Sequence, residues 1–172
     1  MKKLILINGT MGVGKSTVSK ELMKRLQPSV YLDGDWCWNM NPFVVNEENK
    51  QMVLRNIGFL LRSYLENSSY EYVIFCWVMH QEQIVKQILE QMKGLLFQPV
   101  LFTLTCSQDT LRDRLTSRMQ AEGKTDIPRK VEESVNRLKL YEKMDSTKID
   151  VTDITPLQAA ERIANRIFIV ES

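Results

Sequence analysis

Residues 8–17 read NGTMGVGKST, and the reading of this stretch decides the fold. Gly9, four further residues, then Gly14, Lys15 and Ser16 satisfy the pattern GxxxxGK[ST], with an apolar strand-like run before it and an amphipathic segment after it. In that setting a glycine-rich turn aims successive backbone N–H groups at an anion, and the following helix adds its unpaired N–H groups and the positive end of its dipole. Gly12 and Gly14 permit a backbone geometry or a close approach that a Cβ would block. The expected ligand is a nucleoside triphosphate cradled by Gly9, Thr10, Met11, Gly12, Val13 and Gly14. Lys15 is expected to reach the β and γ phosphates, Ser16 to ligate Mg2+ through its hydroxyl, and Thr17 to help at the α phosphate.

Outward from the loop, short apolar or β-branched runs alternate with longer amphipathic ones, the pattern of a parallel sheet covered by helices on both faces. Strands are expected over 3–8, 30–33, 72–79, 99–105 and 148–151. Helices are expected over 15–26, 47–66, 81–92, 109–120, 128–144 and 156–168. The last has a marked start: Thr155 with Gln158 forms a capping box, and Pro156 presets the first turn. The stretch between the fourth and fifth strands exceeds one crossover helix, and its break near 122–126 predicts a small lid, about residues 119–129, on a single domain spanning 1–172.

The bulk composition excludes several classes. The 172 residues suffice for one core without disulfides. Lys plus Arg number 23 against 21 Asp plus Glu, so no global field favours nucleic acid or an anionic membrane. Cys37, Cys76 and Cys106 are scattered without CxxC spacing, which argues against a disulfide framework or a zinc site and suits a reducing cytoplasm. The opening apolar run is too short for a signal-peptide core, and no transmembrane span is expected.

After the second strand comes LDGD, residues 32–35, with two carboxylates where an open α/β sheet presents its carboxyl ends to a ligand. With GTMGVGKST ahead of it, LDGD resembles small P-loop kinases of the nucleoside-monophosphate-kinase-like group, such as gluconate kinase, shikimate kinase, adenylyl-sulfate kinase and chloramphenicol phosphotransferase. The segments LRDRLTSR and IDVTDITPLQAAERI resemble that group's lid-entry helix and its final strand and helix, so the likeness covers most of the chain. The resemblance implies a three-layer P-loop fold with strand order 2-3-1-4-5, ATP and Mg2+ as cofactors, and a small-molecule or nucleotide acceptor. It further implies that Asp33 holds a magnesium-bound water, that Asp35 orients or deprotonates the acceptor, and that Arg118 enters the lid. Arg114, one turn earlier, is a candidate for adenine or phosphate contact, and Arg129 is a weaker lid candidate because EGKTDIPRK departs from arginine-rich lids.

The third strand, within YEYVIFCWVMH, carries no acid at its apolar end, which counts against a motor ATPase or GTPase switch. Trp36, Trp38, Met40, Phe43, Trp77 and His80 fall near the expected acceptor side, either as pocket wall or as plain packing, with His80 also placed to cap the next helix. Arg55 and Arg62 are the candidates for reading an anionic acceptor. The expected function is an ATP-dependent kinase, monomeric or dimeric. The alternatives are a P-loop hydrolase or a nucleotide-binding regulatory or toxin-like protein.

Overall fold

The computed structural model describes residues 1–169. Its elements run β1 (Lys2–Asn8), α1 (Lys15–Arg25), β2 (Ser29–Asp33), a 3₁₀ turn (Gly34–Trp38), α2 (Glu47–Glu66), β3 (Tyr72–Cys76), α3 (Glu82–Glu90), β4 (Phe97–Thr105), α4 (Gln108–Ala121), α5 (Ile127–Glu142), β5 (Thr147–Asp150) and α6 (Pro156–Ile169). The strands form one five-stranded sheet in the order β2-β3-β1-β4-β5, and every neighbouring pair is parallel.

The apolar interiors of the central strands are the direct cause of the layering. In β1, Ile5 and Ile7 point to one face and pack with Val18 and Leu22 of α1 and Ala160 and Ile163 of α6. Leu4 and Leu6 point to the other face, against the layer that includes Val53, Ile57 and Leu61 of α2 and Val85 and Ile88 of α3. Alternation by two thus buries successive residues on opposite faces. The stripe on α2 that repeats at helical spacing is the core stripe, and α2 occupies the expected 47–66.

One strand boundary differs from expectation. The third strand ends at Cys76 and not near residue 79, although Trp77 and Met79 remain buried. An apolar run reports burial, and burial continues past the last strand pairing. Within the segment 119–129, α4 runs through Ala121, α5 starts at Ile127, and the exposed link between them is residues 122–126. The capping box is present as read, with Gln158 N donating to Thr155 Oγ1 at 3.2 Å and Thr155 N to Gln158 Oε1 at 2.9 Å.

Asn8, the fully buried last residue of β1, fixes the carboxyl edge of the sheet. Its Oδ1 accepts from Met79 N at 2.8 Å and from Gly9 N at 2.9 Å, and its Nδ2 donates to Met79 O at 2.8 Å. One side chain therefore ties the start of the glycine loop to the segment after β3. Replacing Asn8 with Ala leaves three buried backbone groups without partners, and the expected loss is roughly 3 kcal/mol. It is read as a lower urea midpoint at unchanged slope; an unshifted midpoint contradicts the account.

Candidate active site

The ends of β1, β2 and β3 lie level, since Cys76 pairs in register with both Ile7 and Asp33. Chain leaving these three ends builds the site. β1 delivers the glycine loop into α1. Gly14, immediately before α1, has φ +108°, and a Cβ there would meet nothing within 4 Å. The position thus needs glycine for its backbone conformation and leaves open space on its outer side, the space a phosphate cradle requires.

Lys15 Nζ donates to Thr10 O at 3.0 Å, folding the side chain back over the loop. Burial pushes its amine below the ordinary lysine value, against the opposing pull of Cys76, Asp35 and Asp33. A cation held in this way gains from any anion placed beside it. The loop is also braced from behind. Thr10 Oγ1 donates to Ser134 O at 2.9 Å and lies 2.8 Å from Ser134 Oγ, while Ser134 Oγ donates to Met11 O at 2.6 Å. Ser134 is buried on α5, so the helix after the 122–126 link is bonded directly to the loop.

β2 delivers Asp33, which is buried and accepts three hydrogen bonds: from Ser16 Oγ at 2.6 Å, from Tyr31 OH at 3.0 Å and from Asp35 N at 3.1 Å. The last bond caps the 3₁₀ turn, so Asp33 caps and faces Ser16 at once. Tyr31 OH lies 3.2 Å from Cys76 Sγ, and Ser16 Oγ lies 3.9 Å from the same sulfur. Burial and the Cys76 contact push the Tyr31 phenol upward. Burial likewise drives the Cys76 thiol to about 11. Both groups are therefore neutral at physiological pH, and Asp33 is the carboxylate of the cluster.

Ser16 Oγ and Asp33 together offer hard oxygen donors at the mouth of the loop. This chemistry suits Mg2+, which is held by one or two protein oxygens with phosphates and water completing its shell. The fit does not need a larger acidic cage, and among the described residues no group of three or more His, Cys, Asp or Glu forms one.

The 3₁₀ turn carries Asp35 to the wall of a cleft of about 520 Å³ that also takes in the loop from Met11 to Thr17. Burial, then the nearby Asp33, raises the Asp35 carboxyl above its ordinary value, while Lys15 and Trp77 pull it down. The turn can sit this close to β3 because Gly34 lies on the Trp77 ring; a Cβ at Gly34 would come within 2.5 Å of Trp77 Cγ.

Of the candidate arginines, Arg114 and Arg118 line the cleft. Arg114 Nη2 donates to Val151 O at 2.8 Å and Thr152 O at 3.3 Å, which holds it under the β5–α6 connection. Arg118 pairs with Glu122 at 2.9 Å on an exposed face. Arg129 pairs with Asp126 and Glu133 and is absent from the cleft wall. Arg137 of α5, which sequence reasoning passed over, lines the cleft instead; its spacing from the loop carries no local signal.

The aromatic candidates separate. Trp36 and Met40 line a different groove, beside Met52, Phe59 and Leu60 of α2. Trp38 is half-buried with its ring 5.9 Å from that of exposed Phe43. Trp77 is buried. The expectation that His80 caps the next helix is corrected: α3 is preceded by Gln81 and has no side-chain cap, and His80 Nδ1 has no hydrogen-bond partner among the described residues. Arg55 lies away from Asp35, in a groove with Gln87 and Glu90. Arg62 donates to Gln91 O at 3.3 Å and Lys93 O at 3.2 Å and pairs with Glu66 at 3.0 Å.

A family model described as an AAA domain matches residues 5–138, from β1 into α5. The chain belongs to this AAA domain family. A search of curated proteins finds no match. Among solved structures, the chain is similar to the tunicamycin resistance protein of Deinococcus radiodurans, at 18% identity and a TM-score of 0.67 over 97% of this chain and 96% of that one. It is similar to a gluconokinase from Sinorhizobium meliloti 1021, at 14% identity and 0.64 over 99% and 98%. It is also similar to the shikimate kinase of Acinetobacter baumannii in complex with shikimate, at 17% identity and 0.65 over 98% and 94%. These likenesses establish a P-loop kinase-like fold over nearly the whole chain. The family match, which starts inside β1, takes in the loop, Asp33, Asp35, Arg118 and Arg137.

Tyr31 is the residue on which the site's carboxylate most visibly leans. Tyr31→Phe removes one donor to a buried carboxylate, and the expected cost is about 1.5 kcal/mol. Thermal or urea unfolding of the variant checks this; wild-type stability would mean that Ser16 and the turn hold Asp33 without it.

Proposed function

We propose that the protein is an ATP-dependent phosphotransferase that moves the γ-phosphoryl group of ATP to an acceptor hydroxyl. The observation that carries the reading is that Asp35, a carboxylate outside the loop, lines the same cleft as Lys15 and Ser16. A nucleotide-binding loop alone needs no such group. A transferase needs a carboxylate within hydrogen-bond reach of the acceptor. The raised proton affinity of Asp35 favours its use as a base.

In this reading the backbone from Gly9 to Gly14 and the Lys15 ammonium bind the β and γ phosphates, with Thr17 at the α phosphate. Ser16 and Asp33 hold Mg2+, which neutralises phosphate charge when bound. Asp35 accepts the proton of the acceptor hydroxyl. The hydroxyl oxygen forms a bond to the γ-phosphorus as the bond from that phosphorus to the β,γ-bridging oxygen breaks, and ADP leaves with the electron pair. Arg118 and Arg137 stand where charge on the transferring group needs cations, and Arg114 braces the wall beside them. The segment 119–129 acts as the lid that keeps water from the γ-phosphate.

Nucleotide hydrolysis is the reading that the family name alone suits equally well. Transfer is favoured because β3 ends in neutral Cys76, and not in the acid that hydrolases of the motor and switch kinds carry there. Three free cysteines fit a cytoplasmic setting, and among the described residues no helix is long and apolar enough to cross a membrane.

The test is acceptor-dependent ADP release from Mg-ATP. Asp35→Asn is expected to lower it by about 10² to 10⁴ while ATP affinity stays near wild type; Lys15→Ala is expected to lose ATP binding itself. An Asp35→Asn variant with full activity refutes the base assignment, and fast acceptor-free hydrolysis refutes transfer.

A further inference from the structure

The 3₁₀ turn has two sides. Asp35 lines the nucleotide cleft, and the next residue, Trp36, lines the groove between the turn and α2, so consecutive residues of the turn belong to the two spaces. The groove holds about 460 Å³, within the size range of sites for drug-sized ligands. Trp36, Met40, Met52, Phe59 and Leu60 give it apolar walls, Asn39 and Asn56 add neutral amides, and no Lys, Arg, Asp or Glu lines it.

Two aromatic residues that line the groove stand open: Trp36 is 56% exposed and Phe59 73%. Clustered exposed aromatic rings mark a surface that is covered in use. The cations that would read an anionic acceptor are elsewhere. Arg55 is in the groove with Glu90, Arg62 is committed to two carbonyls and Glu66, and Arg118 and Arg137 line the nucleotide cleft. A phosphate or carboxylate entering the groove would lose water without gaining a counter-charge. The polar side chains that line the groove, Asn39 and Asn56, are neutral.

We propose that this groove is the acceptor site and that the acceptor is an uncharged alcohol with an apolar body, held between Trp36 and Phe59 with its hydroxyl turned over the 3₁₀ turn to Asp35. The proposal rests on the phosphotransferase reading above and narrows its substrate. The nucleotide cleft keeps the charged reactant, and the groove takes the neutral one.

The experiment uses the full chain and two independent readouts. Calorimetry measures binding of a neutral aryl alcohol series (2-phenylethanol, 3-phenylpropane-1,2-diol and 1-naphthylethanol), of nucleoside monophosphates and of gluconate and shikimate; ADP release from Mg-ATP is measured with each. The expected result is binding and turnover with members of the neutral series, and a KM for them raised at least about tenfold in Phe59→Ala, with restoration in Phe59→Tyr and unchanged ATP affinity. Phe59 is exposed enough to be removed without opening the core; Trp36→Ala is the second variant and also removes the edge-on ring contact with Tyr31, so its ATP affinity is measured alongside. Turnover with an anionic acceptor that Phe59→Ala does not affect overturns the groove while sparing the kinase. Neutral alcohols that bind and lose affinity in Phe59→Ala, with no ADP release, support the groove and sink the phosphotransferase reading. Failure of the whole neutral series to bind overturns the proposal, as does sedimentation showing a dimer that Phe59→Ala dissociates, which would make the groove an interface between copies.

Discussion

The carboxylate of Asp33 is the constraint from which the site is built. It is buried, so its charge carries a desolvation cost that only good donors offset. The three it has come from separate parts of the fold: the Ser16 hydroxyl from the first turn of α1, the Tyr31 hydroxyl from β2, and the backbone N–H of Asp35 from the 3₁₀ turn. An ionised carboxylate only accepts and has room for about four hydrogen bonds, so Asp33 acts as a common anchor for the phosphate-loop helix, the sheet and the turn. The position of Asp35 follows from it, because the turn starts where Asp33 caps it and is pressed onto Trp77 at Gly34.

A second brace governs how the site can move. Ser134 bonds to both Thr10 and Met11, so α5 and the glycine loop form one unit. The link 122–126 ahead of α5 is fastened differently. The pairs Arg118–Glu122 and Arg129–Asp126 that flank it are exposed, and exposed ion pairs contribute little to stability. A triphosphate in the cleft competes easily for Arg118, whereas the loop behind it stays fixed. The short link is thus fastened only by exposed ion pairs, whereas the phosphate cradle is held by buried hydrogen bonds.

What was legible in the sequence was whatever local pattern decides. Short apolar strand runs, the stripe on α2, the Thr155–Gln158 cap and the loop motif each depend on residues a few positions apart, and each stands where it was read. The strand order came from the family resemblance, because alternating runs do not specify which strands are neighbours. The 3₁₀ turn escaped notice because five residues are too few to show a period. Tyr31, Cys76, Ser134 and Arg137 escaped for another reason: Ser134 meets Thr10 across 124 residues and Tyr31 meets Cys76 across 45. No spacing announces such contacts.

The charge around Asp35 is one-sided. Lys15, Arg118 and Arg137 stand with it in the nucleotide cleft, and none of the residues lining the neighbouring groove is charged. An anionic acceptor would compete with ATP for those cations. A neutral one leaves them to the transferring phosphoryl group, where charge must be stabilised. Filling the apolar groove also removes water from beside Asp35, which lowers the local dielectric and strengthens the interactions of the charges that remain. In the proposed reaction, acceptor binding and the electrostatics of transfer would be linked through the peptide unit that joins Asp35 to Trp36.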